Sequence, residues 1–184
     1  MSDKAAERRA KQTVRNLVYS MLVTLGVVLL LILGVPRDDS NRVAPVDYQE
    51  IAIAASAAEG FTALAPKIPE QWYSNAARLD NNLGVRGWYV GFVTDDNQFI
   101  GLSQAFETNP SWESDMLKTN LLEGEIEIAG LTWEIWPTRN PSTPAGTKEF
   151  ALKHSFGQSV VVIYGTAERS DFELIATSIA EQLK

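Results

Sequence analysis

The sequence predicts an α+β fold, in which an antiparallel β-sheet domain is flanked by N- and C-terminal helices and follows one transmembrane helix. Three observations predict this arrangement. A stretch near the N-terminus carries no charge and is rich in Leu and Val. Segments in the middle of the chain alternate apolar with polar residues, which is the period of a half-buried strand. Capping patterns typical of helix N-termini stand before and after these strand segments.

The apolar stretch is predicted to be a retained transmembrane helix, residues 17–35. At 1.5 Å per residue it is about 28 Å long, which matches the hydrocarbon core of a bilayer. A cleaved signal peptide is the alternative, but its apolar region has only about 7–15 residues and ends at a small-residue cleavage site. Here the run ends in Gly34-Val35-Pro36-Arg37, without an Ala-x-Ala pattern.

The charges on either side of this helix predict its orientation. Residues 1–16 carry five basic and two acidic residues and are predicted to be a cytoplasmic tail, because basic residues favour the cytoplasmic side. Residues 37–184 carry 11 basic and 21 acidic residues, a net charge of −10. Such a surface repels nucleic acid, which we do not expect as a partner. We expect a single-pass plasma-membrane protein with an extracytoplasmic C-terminal domain.

The exported part is predicted to begin with a tether, residues 36–46, which is polar and contains Pro. The exported domain then occupies residues 47–184. Asp47-Tyr48-Gln49-Glu50 has the form of a capping box, and Gly60 is expected to end the helix that follows. The apolar residues at helical spacing in this helix are Ile51, Ala54, Ala55 and Ala58.

Two β-hairpins are predicted in the middle of the domain. The first has a polar turn at Asp95–Gln98, and the second turns at Ala129-Gly130. In the second hairpin, glutamates alternate with apolar residues, which indicates one acidic, solvated face. The predicted strands are 88–94, 99–104, 123–128 and 131–136.

The remaining segments complete the prediction. Ser114–Leu122 is expected to form a short helix, and Asn140–Gly146 a loop. Phe150–Phe156 is predicted to be a strand, and the uninterrupted apolar run Val160–Tyr164 is typical of a strand buried on both faces. Ser170-Asp171-Phe172-Glu173 has the form of a second capping box, before a closing helix.

The composition limits the chemistry that the chain can perform. With no Cys, it cannot form disulfides, thiolate zinc sites, iron–sulfur clusters or attached haem. His154 is the one candidate general base near neutral pH, but apolar neighbours share its strand face, which favours a structural histidine. Asp80–Gly84 lacks the glycine and glutamate that a calcium loop needs at its later positions, so a turn is predicted there. We therefore expect no enzyme activity, no metal and no cofactor.

Four residues are candidate partner contacts. Ser20 and Thr24 lie four residues apart on the membrane helix, a spacing that can mark a helix–helix contact. In the alternative interpretation, which is equally well supported, their hydroxyl groups donate to backbone carbonyls of their own helix and mark no contact. Trp112 lies in a predicted loop, and Trp136 is out of phase with the core residue Trp133. Either can contact a partner, since Trp is enriched at interface centres; packing beneath a loop is the alternative.

Several motifs resemble those of a known family. They are Arg15-Asn16, Val35-Pro36-Arg37, Ile68-Pro69-Glu70-Gln71-Trp72, Ala77-Arg78-Leu79, Trp88–Thr94, Gly130–Trp133 and Val161–Ala167. With these motifs the chain resembles the "domain of unknown function 4245" family of actinobacterial envelope proteins, and residues 107–128 and 137–148 match it least. The resemblance implies a single-pass anchor and an exported domain. It brings no known activity, and so no site residues.

Two functions are expected from these observations. The first is a non-catalytic accessory or assembly subunit whose membrane helix and exported domain pack on a larger integral membrane protein complex, such as a respiratory-chain supercomplex. The alternative is an extracytoplasmic module that binds an envelope lipid, glycan or peptide in a cleft between sheet and helix. A continuous apolar pocket would favour the alternative.

Overall fold

The described part of the first unit of the chain is one long helix, α1 (Asp3–Gly34). The computed structural model describes residues 3–34, 44–117, 120–138 and 148–184, and the chain divides into two units, Met1–Arg42 and Val43–Lys184. Within α1, Lys11–Leu30 is long and apolar enough to cross a membrane. The helix also includes most of the basic tail predicted before the span.

The second unit is an α+β domain, as predicted. Its helices are α2 (Tyr48–Glu59), α3 (Pro110–Leu117) and α4 (Arg169–Gln182). The strands are β1 (Tyr73–Asn82), β2 (Val85–Val93), β3 (Phe99–Ala105), β4 (Gly124–Ile128), β5 (Leu131–Pro137), β6 (Phe150–Phe156) and β7 (Ser159–Gly165). In the described residues these strands form one seven-stranded sheet, in the order β1-β2-β3-β7-β6-β5-β4, and all neighbours are antiparallel.

Two antiparallel meanders make up this sheet. The first contains β1, β2 and β3; the second starts at the far edge with β4 and returns inward, so that β7 pairs with β3. Leu83-Gly84 and Ala129-Gly130 join β1 to β2 and β4 to β5, and all four residues have positive φ angles. This geometry is that of the two-residue type I′ turns that suit the twist of a hairpin. The hairpin predicted at Ala129-Gly130 is therefore present, and so is the one predicted at Asp95–Gln98, which joins β2 to β3; the hairpin of β1 and β2 was not predicted.

Helix α2 begins and ends as predicted, but it is rotated. The Asp47 side chain accepts a hydrogen bond from the Glu50 backbone N–H (3.1 Å), and Gly60 ends the helix with φ 74°. The Tyr48 ring packs edge-on against Phe92 and therefore sets which face is inside. The buried positions are Tyr48, Ala52 and Ala55, with Ile51 half-buried, whereas the predicted positions Ala54 and Ala58 are exposed.

Two other helix predictions were wrong in position. Helix α3 starts at Pro110 rather than Ser114, because the Asn109 side chain caps it by accepting from the Trp112 backbone N–H (2.8 Å). Trp112 is therefore helical and does not lie in a loop. Helix α4 starts at Arg169 after Glu168, which makes no side-chain capping bond, so the predicted second capping box is not the one used.

Two further predictions concern loops and strands. The predicted loop 140–146 and most of the predicted tether 36–46 lie outside the described residues. Strand β1 was missed, and the predicted turn is confined to Leu83-Gly84 because the preceding residues Asp80–Asn82 belong to that strand.

The main core lies on the first face of the sheet, beneath α2 and α4. Its fully buried side chains come from the central strands and from α4; they include Trp88, Phe92, Leu102, Trp133, Ile163, Phe172, Ile175 and Ile179. A smaller cluster lies on the second face, where Trp112 and Met116 of α3 join Ala105, Val160 and Val162. Strand β7 is buried on both faces, as its apolar run predicted.

Candidate functional site

The second face of the sheet carries a row of glycines and aromatic rings. The strand register places one residue of each of five adjacent strands in this row: Gly91, Gly101, Tyr164, Ala151 and Trp136. Tyr89 and Phe99 lie on the same face, on either side of the row. We call Tyr89, Phe99, Trp136 and Tyr164 the aromatic surface.

Glycines within the strands make room for these rings. A Cβ atom at Gly101 would lie 2.8 Å from Cζ of Tyr164, so any larger residue would collide with that ring. A Cβ atom at Gly91 would meet Oδ1 of Asn75 and would lie 3.0 Å from the Tyr89 hydroxyl. Glycine inside a strand marks such close approach. The aromatic surface is therefore specified by its glycines as well as by its rings.

Two tyrosines of the aromatic surface, Tyr89 and Tyr164, have raised pKa values and a cation near the ring. Burial raises the pKa of Tyr164 to about 12, although a hydrogen bond with Ser103 acts in the opposite direction. Burial also raises the pKa of Tyr89, against the influence of Arg78, whose guanidinium lies 4.2 Å from the ring centroid. Nζ of Lys148 lies 5.0 Å from the Tyr164 ring centroid. Each phenol is thus neutral at physiological pH and has a cation over its ring.

Trp136 is held in place by a network of charged groups. Its Nε1–H donates to Glu134 Oε2 (2.9 Å), and the other oxygen of that carboxylate lies 3.4 Å from Nζ of Lys153. The same Nζ lies 2.8 Å from Glu113 of α3. Burial alone would lower the pKa of Lys153, but the hydrogen bonds and charges of Glu113 and Glu134 together raise it. The network joins α3 to β5 and β6 and fixes a half-buried indole ring.

The structure places the predicted contact residues in different environments. Trp112 is 4% exposed and lies in the small cluster on the second face, against which Trp136 also packs. Trp136 is less buried than Trp112 and is half-buried in its strand. On α1, the Thr24 hydroxyl donates to the Ser20 carbonyl (2.9 Å), which is the local bond that the sequence left open as the alternative. A role of these residues in partner contact stays a prediction.

His154 occupies a half-buried position beside aromatic rings. Its Nδ1 lies 2.8 Å from the Thr132 carbonyl oxygen, and because a carbonyl only accepts, Nδ1 carries a proton. The ring stacks on Phe156 at 5.9 Å and lies 5.3 Å from Trp133. These contacts match the structural role that the sequence favoured. Among the described residues, no group of three or more His, Asp or Glu side chains is arranged to hold a metal ion.

A second candidate site is an open groove of about 490 Å³ at the start of α2. We call it the α2 groove. Hydrogen bonds fix two of its three aromatic lining residues: the Tyr48 hydroxyl donates to the Pro66 carbonyl (2.6 Å), and the Trp72 Nε1–H donates to Asp95 (3.2 Å). Charged side chains at its rim are Asp47, Lys67 and Glu70, and apolar lining residues are Pro45, Val46, Ile68 and Pro69.

Sequence reasoning missed most of both sites. Tyr89, Phe99 and Tyr164 were assigned to strands but not to a common surface, and Gly91 and Gly101 were given no role. The available signal was glycine in the interior of two otherwise apolar strands. For the α2 groove, the sequence signal was the segment Ile68-Pro69-Glu70-Gln71-Trp72, which indicated a family resemblance but was given no role in a site.

Comparisons with known proteins give one match. No curated protein and no solved structure matches the chain. The family model described as "Protein of unknown function (DUF4245)" matches residues 9–179, a range that includes most of α1 and nearly all of the second unit. The chain therefore belongs to the DUF4245 family.

Proposed function

We propose that this protein is a non-catalytic accessory or assembly subunit, anchored in the plasma membrane, that packs on a larger integral membrane protein complex. The observation that supports this most is the segment Lys11–Leu30, none of which is buried inside the chain. Exposing so much Leu and Val to water is strongly unfavourable. Lipid and the helices of another membrane protein are the surroundings that remove this cost.

The proposed orientation places the N-terminus in the cytoplasm and the second unit outside. It is supported by the net charges of +3 for residues 1–16 and −10 for residues 37–184, since basic residues stay on the cytoplasmic side. The test is protease treatment of intact, wall-stripped cells that express the full chain with a C-terminal tag. Loss of the tag without lysis supports the orientation, and loss only after lysis contradicts it.

Trp136 is the residue of the second unit that we assign to the partner complex. The residue is half-buried, and its bond to Glu134 holds the ring in one orientation, so little rotamer freedom is left to lose on binding. The half-buried Tyr89 and the buried Tyr164 pack in the same cluster as Trp136. Aromatic residues of this kind dominate the energetics of interface centres.

The experiment is purification of the full-length, tagged chain from native membranes in mild detergent, followed by identification of the proteins that come with it. A multi-subunit membrane complex is expected, and a respiratory-chain supercomplex would be recognised by its haem absorption. Trp136→Ala should reduce the recovered complex at least tenfold. Leu174→Ala is the matched control, because Leu174 is an exposed apolar residue on α4, and it should leave recovery unchanged. Recovery of the chain alone, even after crosslinking in membranes, would exclude the proposal.

The α2 groove favours the alternative function, a module that binds an envelope lipid, glycan or peptide. Its volume of about 490 Å³ is in the range of ligand sites, and its apolar lining residues can contact an acyl chain or the apolar face of a sugar. The test is mass spectrometry of small molecules that remain bound to the purified full chain. Ile68→Arg should remove a bound molecule that Leu174→Ala retains; absence of any such molecule from both proteins would reject the alternative.

A further inference from the structure

Strand β1 is one edge of the sheet and is only partly protected. Nine of its ten residues pair with β2, whereas no strand of the described residues lies on its other side. In the part of the chain that the structure describes, one backbone hydrogen bond from outside the sheet reaches this edge, from Val46 N–H to the Ser74 carbonyl (2.9 Å). The stretch from Ala76 onward therefore presents backbone donors and acceptors that can pair with another strand.

The protection of β1 against such pairing is confined to its first residues. Edge strands are commonly guarded by Pro, by charged side chains, especially Lys, and by β-bulges. β1 has neither Pro nor Lys, its bulge lies near its start, between Ser74 and Ala76, and its two charged residues are opposite in sign. Arg78 and Asp80 point to the second face of the sheet, as their cross-strand neighbours Tyr89 and Gly87 show. Leu79 lies between them on the opposite face and is 43% exposed. The strand thus carries opposite charges on one face and an exposed apolar side chain on the other.

We propose that β1 pairs antiparallel with β1 of a second copy of this chain, with the two-fold axis at Leu79. Residues whose numbers add up to 158 then face each other. Leu79 faces Leu79 of the partner subunit, and Arg78 faces Asp80 of the partner subunit, in two symmetric ion pairs. Directly opposite side chains in an antiparallel pair lie about 4.5–5.5 Å apart at Cβ, which is close enough for both contacts.

The other edge of the same sheet shows why β1 is the strand that self-associates. Strand β4 has five residues, with Glu125 and Glu127 exposed on either side of Ile126. The corresponding pairing about Ile126 would place Glu125 opposite Glu127 of the partner subunit, and like charges directly opposite each other are destabilising. The charge pattern therefore opposes self-pairing at β4 and favours it at β1.

The absence of Cys from the chain makes this pairing directly testable. Facing Cα atoms in an antiparallel pair are about 4.5–5.5 Å apart, within the range of about 4.4–6.8 Å that a disulfide requires. Full-length Leu79→Cys protein in membranes should form a disulfide-linked dimer under mild oxidation. Leu83→Cys is the matched control: it is also exposed, but its two copies would be about 27 Å apart along the strand. A Leu79→Cys protein that stays monomeric, or crosslinks no better than the control, overturns the proposal.

Charge reversal tests the register independently of crosslinking. Arg78→Asp or Asp80→Arg alone creates like-charge pairs and should weaken dimerisation of the purified full chain at least tenfold, measured by sedimentation. The combined variant Arg78→Asp/Asp80→Arg restores two opposite-charge pairs and should restore the dimer. This recovery separates the interface from folding damage, because a misfolded single variant would not be rescued by the second change. Unaffected single variants, or a combined variant without recovery, would overturn the proposal.

Discussion

Single glycines decide how closely elements of this sheet approach each other. At Gly165 a Cβ atom would fall on the Phe99 carbonyl group, a backbone position that cannot move aside without opening the β3–β7 pairing. At Gly101 the obstacle is instead the outer end of the Tyr164 ring, which can shift. Substitution by alanine is therefore expected to destabilise the protein more at Gly165 than at Gly101.

Gly165→Ala is expected to destabilise the protein by about 3 kcal/mol or more, because the added methyl group overpacks the backbone of the two central strands. Denaturant unfolding followed by tryptophan fluorescence measures the change. Gly124→Ala is the control, since nothing lies within 4 Å of a Cβ atom at this strand glycine. Equal stability of the two variants would show that β3 and β7 do not approach as closely as described.

The buried phenol of Tyr164 predicts a specific loss of stability at high pH. Its folded-state pKa of about 12 lies above the ordinary value of 10.0, so the protonated form is favoured by the fold. The resulting stabilisation is complete below pH 10 and is lost as pH rises from about 10 to about 12; it amounts to roughly 3 kcal/mol.

Absorbance at tyrosinate wavelengths should show one of the five tyrosines titrating last, and Tyr164→Phe should remove that step. Gly101→Ala, which displaces the ring, should bring the step closer to pH 10. Titration of every tyrosine near pH 10 in the unaltered protein would contradict the burial of this ring.

At the scale of elements, the sequence predicts those strands and turns whose pattern is contained in one short stretch of residues. The hairpins at Asp95–Gln98 and Ala129-Gly130 were predicted from alternation and turn residues, and β7 from its apolar run. Strand β1 was missed because Tyr-Ser-Asn-Ala-Ala-Arg-Leu-Asp-Asn-Asn is poor in β-branched residues and has no clear alternation. An edge strand is fixed by pairing with its neighbour, here β2, and not by its own composition.

The residues at the N-caps of α2 and α4 differ, and this difference is testable. Asp47 caps α2 through its side chain, whereas Glu168 before α4 makes no such bond. Asp47→Ala should cost about 1 kcal/mol, and Glu168→Ser should add a few tenths to about 1 kcal/mol, because serine accepts from the first-turn N–H groups. Thermal unfolding of both variants measures this. A Glu168→Ser protein less stable than the parent would show that Glu168 has a role that the structure does not reveal.

At the scale of the whole molecule, the aromatic surface arises from contacts between distant parts of the chain. Sequence phase alone placed Trp136 on the opposite side of its strand from Trp133, as found, and there it packs against the smaller cluster. The rings of Phe99 and Tyr164 meet only because β7 returns to pair with β3, about 60 residues later in the chain. No local pattern encodes that register, so the sequence predicted the strands but not the surface they build.

The division into two units predicts that residues 44–184 fold without α1. The main core draws all its buried residues from position 48 onward, so removing residues 1–43 takes away none of them. The shortened chain should unfold cooperatively. Its melting temperature, measured by calorimetry in buffer, should lie within about 2 °C of that of the second unit in the full chain, measured in detergent.

Further removal of residues 169–184 is the contrasting case. It deletes Phe172, Ile175 and Ile179, which are fully buried, at a cost of about 1.5–3 kcal/mol for each. That chain should not fold. A chain of residues 44–184 that also fails to fold would mean that the second unit depends on α1 for more than attachment to the membrane.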